Sequence, residues 1–241
     1  MPTIINFSPN TYRQGPQNFS VIQDSSGVFY FGNNNGVLVY DGIEWEIIPV
    51  SNKSEVHSLG MDSKGTIYVG AQGEFGYLQR DGRGKLNYVS LVHLLKESDR
   101  DFNDVWAIYS QNNRMVLRST AGIYILEDNS IKTIKLVNNT HRSFFANNEI
   151  FVRQDGFGIQ KLSNDSLITV AGSKLFGREQ VHTMFPYKEN QYLVVTENLG
   201  IYSYDGKTFK PFKTEADELI KGQSVFGELL PDSTYALGTR R

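Results

Sequence analysis

The sequence predicts an all-β fold, a β-propeller of four-stranded antiparallel blades, and three observations support this prediction. The stretch Gly27–Gly42 reads GVFYFGNNNGVLVYDG, two aromatic and β-branched runs, each opened by a glycine. Near copies of this unit begin at Val56, Val105, Ser143 and Val181. The glycines that open the third run of each copy lie 40, 46, 36 and 42 residues apart, a period typical of propeller blades. These glycines are Gly36, Gly76, Gly122, Gly158 and Gly200.

Four consecutive strands are predicted in each copy, because hydrophobic residues alternate with period two. In the first copy they are NFSVIQ, VFYFG, GVLVY and IEWEIIPV. The predicted blades cover residues 18–52, 56–95, 105–136, 143–176, 181–219 and, for a partial sixth blade, 223–241. Residues 1–17 are expected to supply a strand to a further blade or to wrap the first one. The partial sixth blade cannot close a ring, and an open ring leaves strand edges unpaired. The sequence therefore predicts that the chain is a truncated part of a seven-bladed ring.

Tight turns account for the aspartates and glycines between the predicted strands. Asp41-Gly42 and Asp205-Gly206 occupy the same place in two blades, where two-residue type I′ hairpins are predicted. Asp24 and Asp62 are expected to cap their own turns in the same way, rather than to take part in chemistry. Helix is nearly absent, and LVHLLKESD at residues 91–99 is the best candidate for one or two turns between blades.

Composition excludes several classes of function. The 24 Lys and Arg against 26 Asp and Glu give a net charge of −2, so no nucleic-acid partner is expected. The chain has no cysteine, and therefore neither a disulfide framework nor a thiolate metal site. No apolar run approaches the ~18 residues of a membrane span, so no membrane contact by this segment is expected. The N-terminal MPTIINFSPN also lacks the basic and apolar regions of a signal peptide.

The blade pattern resembles the two-component regulator propeller repeats of bacterial sensors. It reads V-x-x-φ-x-x-D-x-x-G-x-φ-φ-φ-G, with φ hydrophobic, and then G-φ-φ-x-φ-D-G with an aromatic residue three positions on. Residues 5–45 are similar to the start of the periplasmic half of such regulators from Bacteroidetes. The resemblance implies a periplasmic sensor domain for carbohydrate breakdown products, homodimerisation through the full-length protein, and an output region such as a histidine kinase.

One position recurs at the head of the predicted first strands. His57 and His182 each follow a valine there, Trp106 takes the same place in the third blade, and His141 aligns less closely. Heads of innermost strands cluster round the axis of a propeller, so these side chains are expected to form a ring in which Trp106 stacks on a sugar. The alternative is that each packs between blades. A metal at His57 and His182 is not favoured, because three or four ligands must converge.

The loops between second and third strands are expected on the same face as these heads. Their polar residues suit a polar ligand: Asn33, Asn34, Gln72, Glu74, Arg118, Arg153, Gln154 and Glu197. Arg118 and Arg153 lie in otherwise apolar strands, and their guanidinium groups suit the carboxylate of a uronate-like sugar. The alternative for both arginines is a salt bridge between blades.

Three functions are compatible with these residues, and the sequence favours a non-catalytic domain that binds a small glycan or another small ligand. The second is a propeller glycoside hydrolase or lyase, for which Glu74 and Glu197 are the convenient carboxylate pair. The third is a protein-interaction scaffold. No cofactor is expected. DRDFND at residues 99–104 has the acidic spacing of a calcium loop, but Asp104 stands where glycine is needed and Ser110 where glutamate is needed.

Overall fold

The computed structural model describes residues 5–138 and 140–239, with the backbone alone at His141. The chain divides into two compact units, Met1–Lys135 (unit 1) and Leu136–Arg241 (unit 2). The described residues form five four-stranded antiparallel sheets and one two-stranded sheet, and within each sheet neighbouring strands are consecutive in the chain. The predicted all-β architecture of successive meanders is confirmed. In the described part of the chain, no helix combines the length and apolar character needed to span a membrane.

Unit 1 contains α1 (Pro9–Tyr12) and sheets 1 to 3. Sheet 1 consists of β1 (Asn18–Gln23), β2 (Phe29–Asn33), β3 (Gly36–Tyr40) and β4 (Trp45–Ile48). Sheet 2 consists of β5 (Val56–Met61), β6 (Ile67–Ala71), β7 (Glu74–Arg80) and β8 (Leu86–Ser90). Sheet 3 consists of β9 (Val105–Gln111), β10 (Arg114–Ser119), β11 (Gly122–Glu127) and β12 (Ser130–Lys135). The helical segment predicted at residues 91–99 is two 3-10 turns, Val92–Leu94 and Glu97–Asp99.

Unit 2 contains sheets 4 to 6. Sheet 4 consists of β13 (Thr140–Ala146), β14 (Glu149–Gln154), β15 (Gly158–Ser163) and β16 (Ser166–Thr169), followed by a 3-10 turn at Ser173–Phe176. Sheet 5 consists of β17 (Val181–Tyr187), β18 (Gln191–Thr196), β19 (Ile201–Tyr204) and β20 (Phe209–Pro211), followed by α2 (Asp217–Ile220). Sheet 6 pairs β21 (Val225–Leu229) with β22 (Tyr235–Thr239).

The predicted type I′ hairpins at Asp41-Gly42 and Asp205-Gly206 are both wrong, because neither aspartate has a positive φ. Asp41 Oδ1 accepts hydrogen bonds from the N–H groups of Ile43 at 2.8 Å and Glu44 at 2.7 Å, so residues 41–44 form a longer loop. Gly42 has a φ of +97°, but a type I′ turn requires positive φ at both central residues. Two-residue loops with paired positive φ occur instead at Asn112-Asn113, Asp128-Asn129, Asn147-Asn148 and Asn164-Asp165.

The aspartates of the remaining turns cap their own backbone, as predicted. Asp24 Oδ1 accepts from the N–H groups of Ser26 and Val28, and Asp62 Oδ1 accepts from those of Lys64 and Thr66. At the turn after β19, the N–H groups of Thr208 and Lys207 lower the pKa of Asp205 to about 2. These carboxylates therefore stabilise turns.

The periodic glycines are required where the following segment approaches the third strand. At Gly36, which has a φ of +133°, a Cβ would lie 2.4 Å from the carbonyl oxygen of Ile48. At Gly158, with a φ of +84°, it would lie 2.1 Å from the carbonyl oxygen of Ser173. A side chain at either position would collide with backbone, which explains glycine at these two places in the period.

The hydrophobic core of unit 1 lies between consecutive sheets. Sheets 1 and 2 bury one cluster, to which Val37, Val56 and Val69 belong with no exposed surface. Sheets 2 and 3 bury a second, in which Phe75 packs on Phe102 with ring centroids 5.3 Å apart. Phe102 is fully buried, so it anchors the loop that resembles a calcium site in sequence.

Unit 2 repeats this arrangement. Sheets 4 and 5 bury a cluster in which Phe176 has no exposed surface and contacts Phe209 edge to face at 5.0 Å. Sheets 5 and 6 bury a smaller cluster that includes Phe185, Ile220 and Val225. Each sheet thus gains stability by packing on its neighbour within the unit, as expected for a repeat protein.

The described part of the N-terminal segment wraps sheet 1 and contains no strand. Phe7 and Tyr12 contact Trp45, with ring centroids 5.3 and 5.4 Å apart. Asn33 is fully buried, and its Nδ2 donates to the carbonyl oxygens of Gly15 at 2.7 Å and Gln17 at 3.1 Å. The described residues 5–17 therefore pack on sheet 1, and the expectation for the start of the segment, residues 1–4, lies outside the described residues.

Candidate functional site

A β-bulge recurs at the head of the first strand in each four-stranded sheet. In all five sheets, the pairing between the first and second strands skips the second residue of the first strand. The skipped residues are Phe19, His57, Trp106, His141 and His182. Because a bulged residue leaves the regular alternation, its side chain is re-aimed relative to the strand. The side chain of His141 lies outside the described part of the structure.

In unit 1 the bulged residues of three neighbouring sheets contact one another. The Phe19 ring meets the His57 ring edge to face, with centroids 4.6 Å apart. The His57 ring stacks on Trp106 with centroids 4.3 Å apart and an interplanar angle of 4°. His57 is buried, whereas Trp106 remains 42% exposed. The predicted proximity of His57 and Trp106 is therefore present, and Trp106 is the member of the group that a ligand can reach.

Two carboxylates flank the His57 ring. Nε2 lies 3.3 Å from Oε2 of Glu55, and Nδ1 lies 3.4 Å from Oδ1 of Asp104. The contact with Glu55 is a hydrogen bond. The contact with Asp104 is close enough for an ion pair, but His57 Nδ1 and Asp104 Oδ1 form no hydrogen bond with any described residue. Hydrogen bonds from Asn34 and then from His57 hold the pKa of Glu55 below its ordinary value. Glu55 is therefore a carboxylate at neutral pH, and 47% of its side chain is exposed.

Backbone and amide contacts connect the loops of this site. Asn34 Nδ2 donates to Oε1 of Glu55 at 3.0 Å, and Asn34 Oδ1 accepts from the N–H of Gln17. The N–H of Gln72 donates to the carbonyl oxygen of Glu55, and Gln72 forms an isolated β-bridge with Asp104. Asn34, Gln72, His57 and Trp106, all predicted from the sequence, thus belong to one cluster, which we call the Trp106 site.

Glu74 has a structural environment. Its carboxylate is buried, and Oε1 accepts hydrogen bonds from Ser90 Oγ at 2.7 Å, Tyr88 Oη at 3.1 Å and the N–H of Phe75 at 3.0 Å. Burial, and then the charge of Glu74, raise the pKa of Tyr88, so the tyrosine is a donor at all ordinary pH values. The bonds from Tyr88 and Ser90 hold β8 against β7.

Arg153 is also held by protein groups. It is 1% exposed; Nε donates to the carbonyl oxygen of Phe176 at 3.3 Å, Nη2 donates to that of Gly177 at 3.2 Å, and Nη1 pairs with Asp155. Arg118, in β10, is buried as well. The guanidinium of Arg153 therefore fastens β14 to the 3-10 turn, and its ion pair with Asp155 lies within sheet 4 rather than between blades.

The remaining predicted residues lie in unit 2. Gln154 is 3% exposed, and its Nε2 has no hydrogen-bond partner among the described residues. Glu197 is half-buried, and its backbone bonds to Gln180 and Gly222. His182 is buried, and burial followed by the charge of Arg142 lowers its pKa below the ordinary 6.5.

Sequence reasoning missed Glu55, Asp104 and Phe19. A signal was present: Glu55 stands two residues before His57, and Asp104 stands two residues before Trp106. Phe19 follows Asn18 at the head of β1, in the position that His57 takes in β5. No group of three or more His, Cys, Asp or Glu within the described ranges could hold a metal ion.

The stacked four-stranded meanders define the class of protein, and comparison with solved structures confirms it as a β-propeller. A catalytically inactive histidine-to-alanine variant of virginiamycin B lyase from Staphylococcus aureus, crystallised with quinupristin, matches with a TM-score of 0.67 at 11% identity, over 93% of this chain and 78% of the lyase. The WD40 β-propeller domain of Doa1 matches with a TM-score of 0.61 at 12% identity, over 93% and 78%. Neither a family model nor a curated protein sequence matches the chain.

Extracellular domains of two-component systems are among the matching structures. The extracellular domains of two putative hybrid two-component systems from B. thetaiotaomicron match with TM-scores of 0.67 and 0.64 at 14% and 18% identity, over 94% and 92% of this chain. The chain spans only 32% and 30% of their lengths. The predicted resemblance to two-component regulator propellers is thereby confirmed at the level of the fold.

Proposed function

We propose that this chain is a non-catalytic sensor domain of a bacterial signal-transduction protein, and that it binds a carbohydrate-derived ligand at the Trp106 site. The sensor domains among its structural neighbours support the signalling role. The ligand class rests on a single observation, the exposed indole of Trp106 held parallel to a buried imidazole.

The geometry of Trp106 suits the apolar face of a sugar ring. Aromatic side chains provide a large contact area, and stacking on them does not require a charged ligand. His57 and Phe19 support the indole from within the unit, so little conformational freedom is lost when a ligand binds. A preorganised platform of this kind contributes affinity without moving the backbone.

Polar groups beside the platform can accept hydrogen bonds from sugar hydroxyls. Glu55 offers an exposed carboxylate whose charge is stabilised by Asn34, and Gln72 presents an exposed amide. Carboxylates and amides are the groups that fix orientation in carbohydrate sites, while the aromatic ring supplies contact area. The local charge is negative, which favours a neutral sugar over an acidic one at this position.

A lyase is the second candidate, because one observation favours it. His57 lies between two carboxylates, and a histidine-to-alanine variant of the S. aureus lyase is catalytically inactive. Against catalysis, His57 is only 7% exposed and both ring nitrogens already face Glu55 and Asp104. A general base must reach the proton it removes, so we propose binding without turnover.

Tryptophan fluorescence tests the ligand site directly. The chain has 2 tryptophans, so Trp45→Phe leaves Trp106 as the reporter. We expect a neutral oligosaccharide from a panel of plant and host glycans to change the emission of this variant saturably. Trp106→Ala should weaken binding of the same glycan, measured by calorimetry, by at least about tenfold, because the stacking contact is lost.

Three results would contradict the proposal. They are a glycan that binds Trp106→Ala as tightly as the unmodified protein, an absence of binding to the whole panel, and release of products from a glycan. Incubation with quinupristin tests the lyase candidate, and its conversion to a product by this chain but not by His57→Ala would establish that candidate instead. The proposal includes a periplasmic location and a homodimer through the full-length protein, which protease accessibility in spheroplasts and sedimentation of that protein would test.

A further inference from the structure

Unit 2 contains a partly buried cation with no acidic partner. Arg142, in β13, donates from Nη1 to the carbonyl oxygens of His182 at 3.0 Å and Val225 at 3.3 Å. Its guanidinium lies over the ring of Phe226, 4.7 Å from the centroid. Among the described residues no carboxylate pairs with it, and both of its hydrogen bonds come from Nη1. Nε and Nη2 donate to no described residue, so they form a free edge of the fork.

Burial makes this arrangement costly without a counter-ion. The pKa of Arg142 is lowered, and burial is the cause. A guanidinium remains charged in proteins, so the cation loses part of its hydration and recovers only carbonyl and aromatic contacts. An anion that used the free edge of the guanidinium would restore the lost interaction, and an arginine fork is shaped for a planar carboxylate.

His182 supplies a second polar group that lacks a partner. The residue is 7% exposed, and Nε2 is buried with no hydrogen-bond partner in the described part of the chain. A buried polar atom without a partner costs free energy, so a ligand that bonded to this imidazole nitrogen and to the free edge of Arg142 would gain hydrogen bonds at both groups. The backbone carbonyl of His182 is itself bonded to Arg142, which holds the two residues together.

Phe226 completes the cluster with an apolar surface. Phe226 is the second residue of β21, the position that His182 takes in β17, and it is 60% exposed. An exposed phenyl ring against a guanidinium offers contact area to the apolar part of a ligand whose charged group meets the arginine. The three side chains therefore combine charge, a hydrogen-bonding nitrogen and an apolar face.

We propose that Arg142, His182 and Phe226 form a binding site for the carboxylate group of a small organic acid. The carboxylate accepts hydrogen bonds from the guanidinium of Arg142 and from Nε2–H of His182, and the body of the acid packs on Phe226. Glu179 and Glu197 act on His182 as nearby negative charges, which disfavours a doubly charged phosphate relative to a singly charged carboxylate. The site does not depend on the proposed glycan site of unit 1.

Calorimetry with the whole chain tests this site. The probes are glucuronate, galacturonate and benzoate, with glucose, galactose and inorganic phosphate as comparison ligands. At least one carboxylate should bind saturably, and Arg142→Gln should weaken it by about tenfold or more, since hydrogen bonds to charged groups are the strong ones. Arg142→Lys, which keeps the charge but loses the fork, should give an intermediate loss. Lys207→Gln, at an exposed turn, is the matched loss of one charge and should bind normally.

His182→Gln and Phe226→Ala extend the test to the other two side chains. Phe226 is exposed, so its truncation should leave the fold intact, as circular dichroism would show, and should weaken the same carboxylate. If Arg142→Gln does not fold, Phe226→Ala decides the question. The proposal is overturned if none of the three carboxylates binds, if the neutral sugars or phosphate bind as tightly, or if Arg142→Gln, or Phe226→Ala in its place, leaves the affinity unchanged.

Discussion

Replacement of Arg153 by methionine separates a structural role from a role in ligand binding. The substitution keeps much of the apolar stem and removes the guanidinium. It removes the hydrogen bonds to the carbonyl oxygens of Phe176 and Gly177, and hydrogen bonds from a charged group are worth roughly 1.5–3 kcal/mol each. Each carbonyl oxygen keeps one backbone donor, the N–H of Glu179 and that of Gly156 respectively. The side chain of Asp155 is 41% exposed, so loss of that ion pair adds little. From the two lost hydrogen bonds we expect a total loss of about 3–6 kcal/mol in the free energy of unfolding.

Urea denaturation followed by circular dichroism measures this loss. For a chain of this size a loss of about 3 kcal/mol also lowers the melting temperature by roughly 6–12 °C. Arg178→Met, at an exposed position in the same unit, is the matched control and should change stability by less than about 0.5 kcal/mol. A loss below about 1 kcal/mol for Arg153→Met, with the fold intact, would refute the structural interpretation and return Arg153 to the list of candidate ligand residues.

Two further predictions concern backbone geometry and pH. Gly158→Ala should destabilise the protein by several kcal/mol more than Gly200→Ala. Both glycines have φ near +84°, but only a Cβ at position 158 would lie 2.1 Å from a carbonyl oxygen. Equal losses of stability in urea denaturation would contradict this prediction. Burial keeps the pKa of His182 below 6.5, so the unfolded chain takes up the proton more readily and stability should fall as the pH drops below about 6.5. His182→Gln should reduce the difference between melting temperatures at pH 7.5 and 5.5, whereas His93→Gln, at an exposed position, should not.

The strand plan could be read from the sequence because its signals are local. Alternation of period two, glycines near every 41 residues and aspartates in turns recur in several copies, so each copy supports the assignment of the others. The turn type at Asp41-Gly42 could not be read in the same way. There the side chain of Asp41 competes for the backbone N–H groups and lengthens the loop, and that competition depends on the final geometry.

The candidate sites were only partly accessible to sequence reasoning. The shared register of His57 and Trp106 predicted two members of one site, because strand heads in successive repeats occupy equivalent places. Register alone did not distinguish Arg153, which bonds through all three of its guanidinium nitrogens, from Arg142, which bonds through Nη1 alone. Both arginines lie in sheet 4, and only their hydrogen-bond partners distinguish them.

The amino-acid sequence by itself determined the fold class, the order of the sheets and the positions of the strand heads, because these follow from patterns that repeat within about 40 residues. Tertiary structure decided which polar groups are satisfied and which are free. The contact from Arg142 to Val225 spans 83 positions in the chain, and Ser58 reaches Val105 across 47. Burial and hydrogen-bond satisfaction are properties of such distant neighbours, so they appear only once the sheets have packed.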